Sequence, residues 1–438
     1  MLAALLTAAL ALVGFGGGTA AAAALRELPP NTELAGGPQQ LLAAQPAAPA
    51  PLAAGVRTCS IAPQVADPAV LDLHGLVVDA ATGEILYERG ADAPVPTASV
   101  MKLVTAVSAI AVLGADTRIT TTVVPGTAPG SVVLVGAGDP TLRSGDTSYY
   151  GPGTASVADL AAQIGDAAVV GVDESLFTGP QWQPSWHDVD RRDGYIAPIS
   201  AAMVDAGHEE PLPIYAERTR APGAQAGQAL AQRLGASFDP GLRPMPGAAP
   251  IAEVHSPTIA ELVDVMLLDS DNVVAETLAR LVAIELGLGA DFAAVDLAQR
   301  EVLERLGVPV DGFVGADGSG LSEDNRATAR LIVALLEALQ REPDLAGLRA
   351  LLPQNQRSGT LDNRLPGVPA GAITAKTGWI DTVFGLAGWS DAEGGELRFA
   401  LFTVLPEGDP GRVGLPNRDA LDAVATAMHG CGQRLANG

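Results

Sequence analysis

Ser99-Val100-Met101-Lys102, continued by LVTAVSAIAVLG to Gly114, places a hydroxyl and an amine at the start of an apolar helix. Residues three apart share a helix face, so Lys102 can approach the Ser99 hydroxyl. A serine is a poor nucleophile at neutral pH until a base takes its proton. A lysine can be that base if burial and a nearby cation depress its pKa. A helix start also aims free N–H groups and the positive dipole end at developing negative charge. The spacing predicts an apolar face at Leu103, Val107, Ala111 and Leu113. Alone, a serine and a lysine at this spacing also describe an ordinary solvated helix start.

Two further motifs follow in order. Ser270-Asp271-Asn272 lies where two helical stretches meet. Its serine can relay a proton, and its amide can both donate and accept. By itself it reads as a helix N-cap. Lys376-Thr377-Gly378 ends the apolar strand ITAKTG. The lysine brings positive charge, the threonine a hydroxyl, and the glycine a place where a substrate backbone can come close. By itself it reads as a strand-to-turn exit. Together, in this order and on these elements, the three resemble the trio of class A β-lactamases and penicillin-binding proteins.

Outward from these motifs, residues 74–79 and 84–87 read as a hairpin about the turn Ala80-Ala81-Thr82-Gly83. From 116 to 251 the texture changes to short strand-like pieces between Gly/Pro turns. Helical stretches are expected at 258–266, 271–286, 293–306 and 327–340. Strands are expected at 372–376, 383–388 and 397–404. Strands at both ends with helices between them predict an α/β fold whose sheet joins the N- and C-terminal segments.

The totals set limits. A net charge of −24 argues against nucleic acid or anionic lipid as the main partner, because an acidic surface repels phosphate. Residues 1–25 form an apolar, small-residue run that reads as a signal peptide or membrane anchor, although no Lys or Arg precedes it. Residues 26–57 are an Ala/Pro-rich linker. Export would let Cys59 and Cys431 persist as a disulfide tying the ends of the folded part together. The histidines (His74, His187, His208, His255, His429) show no zinc spacing, and no metal or cofactor is expected.

Beyond the trio, LVGAGDPTL at 134–142, SWHDVDRRDGYIAPISAAMVD at 185–205, DSDNVVAETLAR at 269–280, DGSGLSEDN at 317–325 and SGTLDNRL at 358–365 resemble the low-molecular-mass class C penicillin-binding proteins. These are D-alanyl-D-alanine carboxypeptidases/endopeptidases. The resemblance implies a penicillin-binding, transpeptidase-like (β-lactamase-like) domain from 58–115 and 252–438, with a central sheet flanked by helices. A strand-rich insertion at 116–251 splits it. It also implies action on peptidoglycan stem peptides outside the cytoplasmic membrane, and inhibition by β-lactams. Ser99 would be the nucleophile, Lys102 its base and Ser270 the proton relay, with Asn272 positioning the peptide carbonyl and Lys102. Lys376 and Thr377 would bind the terminal carboxylate. Gly378 gives close approach, and the N–H groups of Ser99 and Trp379 form an oxyanion hole.

Two positions depart from the family pattern. Trp379 stands where a small hydroxyl residue is usual, and Glu323 replaces the usual basic residue after GLS. A serine β-lactamase and a catalytically inactive wall-binding protein are the competing readings. Against the first, 302–320 offers Glu304 in a helical run and no deacylating loop. Against the second, all three motifs are chemically intact. One of Asp188 or Asp190, beside Trp186, Tyr195 and Asp193, is a candidate acceptor for a stem-peptide ammonium, with a solvated acidic loop as the alternative.

Overall fold

Asp72–Asp79 (DLHGLVVD) carries apolar residues on both faces, which suits a strand inside a sheet covered on two sides. In the computed structural model, which describes residues 57–437, it pairs antiparallel with Ile85–Arg89 on one side and Gly395–Val404 on the other. Val383–Ala392 and then Ile373–Ile380 complete a five-stranded antiparallel sheet. Two early strands and three late ones thus share one sheet, as the α/β expectation required. The signal-peptide or anchor reading of 1–25 and nearly all of the linker lie outside the described residues.

The alternation of side chains sorts the core into two layers. Leu76, Val78, Val383, Ala387, Trp389 and Phe402 meet the helices on one face. Leu73, Val77, Leu386, Phe399 and Leu401 meet the C-terminal helix Leu415–Cys431 on the other. The helix Lys102–Leu113 lies inside the first layer, packed against Ile259–Leu268, Asn272–Glu285 and Phe292–Arg305. The expected one-sided apolar face is corrected here: every residue from Lys102 to Ile110 is buried, whereas Ala111 is exposed. A helix enclosed by other helices has no solvent face, so its small residues (Ala106, Ser108, Ala109) are sequestered with the large ones.

Cys59 and Cys431 are joined by a disulfide, with Cα atoms 5.4 Å apart. The bond closes a loop of 372 residues, which the chain-entropy model values at roughly 4 kcal/mol or more.

A second five-stranded sheet follows the order Ser237–Phe238, Val169–Asp173, Ser131–Val135, Arg118–Pro125, Ala252–Thr258. Val123, Leu134, Val170 and Val254 pack with Ala226 and Leu230 of the helix Pro222–Leu234 into a separate core. The strand Ala252–Thr258 belongs to this sheet, although the sequence reading begins the resumed main domain at 252. Thr258 then caps the next helix in a reciprocal pair with Glu261. Trp186, Ile196 and Ile199 leave the second sheet's region and pack on Val273 and Phe292. This brings the 185–205 segment to the helix that begins at Asn272.

Candidate active site

Ser99 lies in a single 3-10 turn, Ala98–Met101, and the α-helix begins only at Lys102. The expected α-helical start at Ser99 is corrected accordingly. The turn is tight because two backbones press on it. A Cβ on Gly378 would lie 3.0 Å from the Ser99 nitrogen, and one on Gly320 only 1.8 Å from the Ala98 carbonyl oxygen. Gly320 also has φ +86°, a conformation that side chains resist. Glycines on the edge strand and in the 317–325 loop therefore let three segments converge on one hydroxyl.

Lys102 is fully buried. Its Nζ donates to Ser99 Oγ at 2.9 Å, Asn272 Oδ1 at 2.6 Å and the Ser319 carbonyl at 2.7 Å. A neutral amine has two N–H groups and one lone pair. The two carbonyl oxygens can take the N–H groups, leaving the lone pair facing the Ser99 hydroxyl. Burial lowers the Lys102 pKa to about 8, against the opposing charges of Asp317, Glu276 and Asp271. The arrangement can therefore supply a base at mildly alkaline pH.

The 270–272 motif combines its structural and chemical readings. Asp271 is the N-cap, accepting from the N–H groups of Val273 and Val274. Ser270 has φ +61°, in the left-handed region. Asn272, the first helical residue, turns its Oδ1 to Lys102 and donates from Nδ2 to the Tyr195 carbonyl at 3.0 Å. One amide hydrogen of Asn272 is thus engaged by the backbone of the 185–205 segment.

The Ile373–Ile380 strand is the sheet edge. Its Lys376 is buried, and Nζ donates to Ser270 Oγ at 3.0 Å and to the Thr377 carbonyl at 2.9 Å. Burial, with the charges of Lys102 and Arg364, holds Lys376 well below the ordinary lysine range. Thr377 Oγ1 donates to Thr360 Oγ1 at 2.8 Å. Trp379 is half exposed, and its Nε1 donates to the Val413 carbonyl at 2.9 Å. Its only side-chain donor is spent there, so it offers none to a carboxylate. Nothing in the structure explains Glu323.

Ser99, Lys102 and Asn272 thus meet, Ser270 meets Lys376, and Gly378 lies against Ser99, whereas the side chains of Thr377 and Trp379 bond to Thr360 and Val413. Sequence reading missed Ser319, Thr360 and the Tyr195 carbonyl. Ser319 and Thr360 lie inside segments whose family likeness was visible, but two of the three contacts are made by backbone oxygens. The acidic segment is mixed. Asp188 is paired with Arg191 at 3.0 Å, Arg220 at 2.7 Å and Arg192 at 3.7 Å, so it is not a free acceptor. Asp190 accepts from the His187 N–H at 3.0 Å. Burial, with Asp381 and Asp193 nearby, raises its pKa.

A helix-flanked antiparallel sheet with a Ser–Lys pair, a Ser–Asp–Asn junction and a Lys–Thr–Gly edge strand defines a penicillin-recognising serine enzyme. The chain belongs to the D-Ala-D-Ala carboxypeptidase 3 (S13) family, whose profile matches residues 58–226 and 209–428. It is 38% identical over 404 residues to a carboxypeptidase of Mycobacterium tuberculosis, covering 87% of this chain and 85% of the relative. It is 30% identical to a D-alanyl-D-alanine carboxypeptidase of Actinomadura, with 79% of each chain covered. Its fold matches penicillin binding protein 4 of Haemophilus influenzae with a TM-score of 0.70 at 19% identity, over 84% of this chain and 98% of that one.

Proposed function

We infer that this protein is a serine-type D-alanyl-D-alanine carboxypeptidase/endopeptidase that cleaves peptidoglycan stem peptides or cross-links and is acylated by β-lactams. The observation that carries this reading is the buried Lys102 Nζ, held 2.9 Å from Ser99 Oγ by two carbonyl acceptors. Ser99 Oγ attacks the carbonyl of the penultimate D-alanine as Lys102 takes its proton. The N–H groups of Ser99 and Trp379 receive the oxyanion. Ser270, contacted by Lys376, passes a proton to the departing amine. Lys376 and Thr377 hold the terminal carboxylate. Water then attacks the ester and releases the shortened peptide and Ser99.

Residues 353–355 pair with the start of the Ile373–Ile380 strand, and the edge beyond Ala375 supports an extended peptide laid beside it. We place 116–258 as the inserted region, since both boundary strands of the second sheet fall within it. We also place the enzyme outside the cytoplasmic membrane, where its disulfide can persist, with membrane anchoring through 1–25 as the finer proposal. Among the described residues, no helix is long and apolar enough to cross a membrane.

The β-lactamase reading finds no support. Glu304 is exposed on the Phe292–Arg305 helix, and the buried Glu276 spends both oxygens on backbone N–H groups. Labelling by fluorescent penicillin tests the proposal: the native protein should hold the label covalently, and Ser99→Ala should not. Rapid penicillin turnover would favour the lactamase, and no label at all would favour an inactive scaffold.

A further inference from the structure

Glu276 is fully buried and stands four residues after Asn272 on the same helix. Residues at this spacing share a helix face, and here both serve Lys102. Asn272 does so directly. Glu276 Oε1 accepts from the Ser319 N–H at 2.7 Å, and Oε2 accepts from the Gly318 N–H at 3.2 Å. The carbonyl of the same Ser319 accepts from Lys102 Nζ at 2.7 Å. Thr105, one turn after Lys102, donates to the Gly318 carbonyl at 2.5 Å, and Gln299 donates to Thr105 Oγ1 at 3.2 Å. The 318–319 backbone is thus gripped by Glu276 through its N–H groups and by Lys102 and Thr105 through its carbonyls.

A neutral side chain could brace a loop. A buried carboxylate is costly unless its charge is used or compensated, and among the described residues no cation forms an ion pair with Glu276, although Arg280 lies near enough to act on it. Several charged groups face the pair. Asp317 comes from the 317–325 loop, Arg280 and Asp271 from the Glu276 helix and its cap, and Lys376 from the edge strand. Asp317 is bound by Trp186 Nε1, Asn325 Nδ2 and the N–H groups of Gly320 and Ser322.

We propose that Glu276 is a positioning residue for acylation: through Ser319 it fixes Lys102 Nζ beside Ser99, and its negative charge raises the pH at which Lys102 becomes a base. The proposal rests on Lys102 acting on Ser99. Burial, with Asp317 nearby, pushes the Glu276 carboxyl up to about 8, and its charge is one of those that oppose the fall of Lys102. The carboxylate favours the protonated amine. Its removal should therefore free Lys102 of its proton at lower pH.

The test is the pH profile of penicillin acylation by purified full-length protein. Glu276→Gln should slow the plateau rate and move the acid limb down by about one pH unit. Glu276→Asp, which keeps the charge, should retain the parent limb with a lower plateau. Thr105→Val loosens the same loop without changing charge, and should slow acylation with no shift. An unshifted limb in Glu276→Gln, or an equal shift in Thr105→Val, would overturn the proposal. If Glu276→Gln does not fold, a limb moved by about one unit in Glu276→Asp overturns it and an unmoved limb supports it. Ser99→Ala separates the two levels: labelling that survives in that variant sinks the Ser99 reading itself, whereas its loss beside an unshifted Glu276→Gln limb sinks only the role of Glu276.

Discussion

Lys376 Nζ lies 3.0 Å from Ser270 Oγ, which couples the edge strand to the helix junction. A buried amine whose charge is opposed by Lys102 and Arg364 is poised to polarise that hydroxyl. The contact joins the strand proposed to bind the terminal carboxylate to the serine proposed as proton relay, so in that proposal the carboxylate and the departing amine are handled by neighbouring groups.

Acylation should rise with pH as Lys102 is deprotonated. Its pKa is lowered to about 8, so protonation below that range removes the base, and the rate should fall towards acid. Lys102→Arg keeps a cation that cannot release its proton at these pH values. Stopped-flow acylation should find it inactive, and substantial acylation would exclude Lys102 as the base.

Ser270 occupies φ +61°, a conformation that costs a non-glycine residue about 1–3 kcal/mol. Ser270→Gly should therefore raise the unfolding free energy by about 1 kcal/mol. The same change deletes the relay hydroxyl, and kcat on a D-Ala-D-Ala peptide should drop about 100-fold or more. Denaturant unfolding and peptide kinetics on one sample check both. A variant that gained stability at full activity would remove Ser270 from the relay.

Gly320 has no room for a methyl group, since a Cβ would sit 1.8 Å from the Ala98 carbonyl oxygen. Gly320→Ala should push the 98–99 turn away from Lys102 and destabilise the protein by about 1–3 kcal/mol. Thermal unfolding and the penicillin acylation rate should fall together. An unchanged melting temperature would contradict the observed packing.

Asp190 and Asp188 should part company. Asp188 is consumed by three arginines, whereas Asp190 keeps one oxygen outside its cap bond. Asp190→Asn should lower kcat/KM for stem peptides with a free side-chain ammonium by about 5–10-fold, leaving penicillin acylation almost unchanged. Asp188→Asn should alter neither by much. Equal activity of Asp190→Asn and the parent on such a peptide would place ammonium recognition elsewhere.

Much of this was legible in residue order. Motif chemistry survives in one dimension, since Ser99 and Lys102 are three residues apart and their pairing is local. Short apolar runs bounded by turn residues likewise marked the strands of the sheet that joins the two ends, and Gly/Pro-punctuated strand-like pieces marked the 116–251 region. The export signature made a Cys59–Cys431 bridge chemically reasonable. What stayed hidden depended on distance along the chain and on the backbone. The Ser319 carbonyl reaches Lys102 across 217 residues, whereas the Asn272 contact across 170 residues was implied by the family resemblance alone. A carbonyl oxygen is the same on every residue and leaves no trace in composition. The 3-10 turn at Ser99, the all-round burial of the Lys102 helix, the three arginines around Asp188 and the grip of Glu276 on Ser319 were decided by the tertiary structure. Each arises where separate segments pack against one another, and no local propensity encodes that meeting.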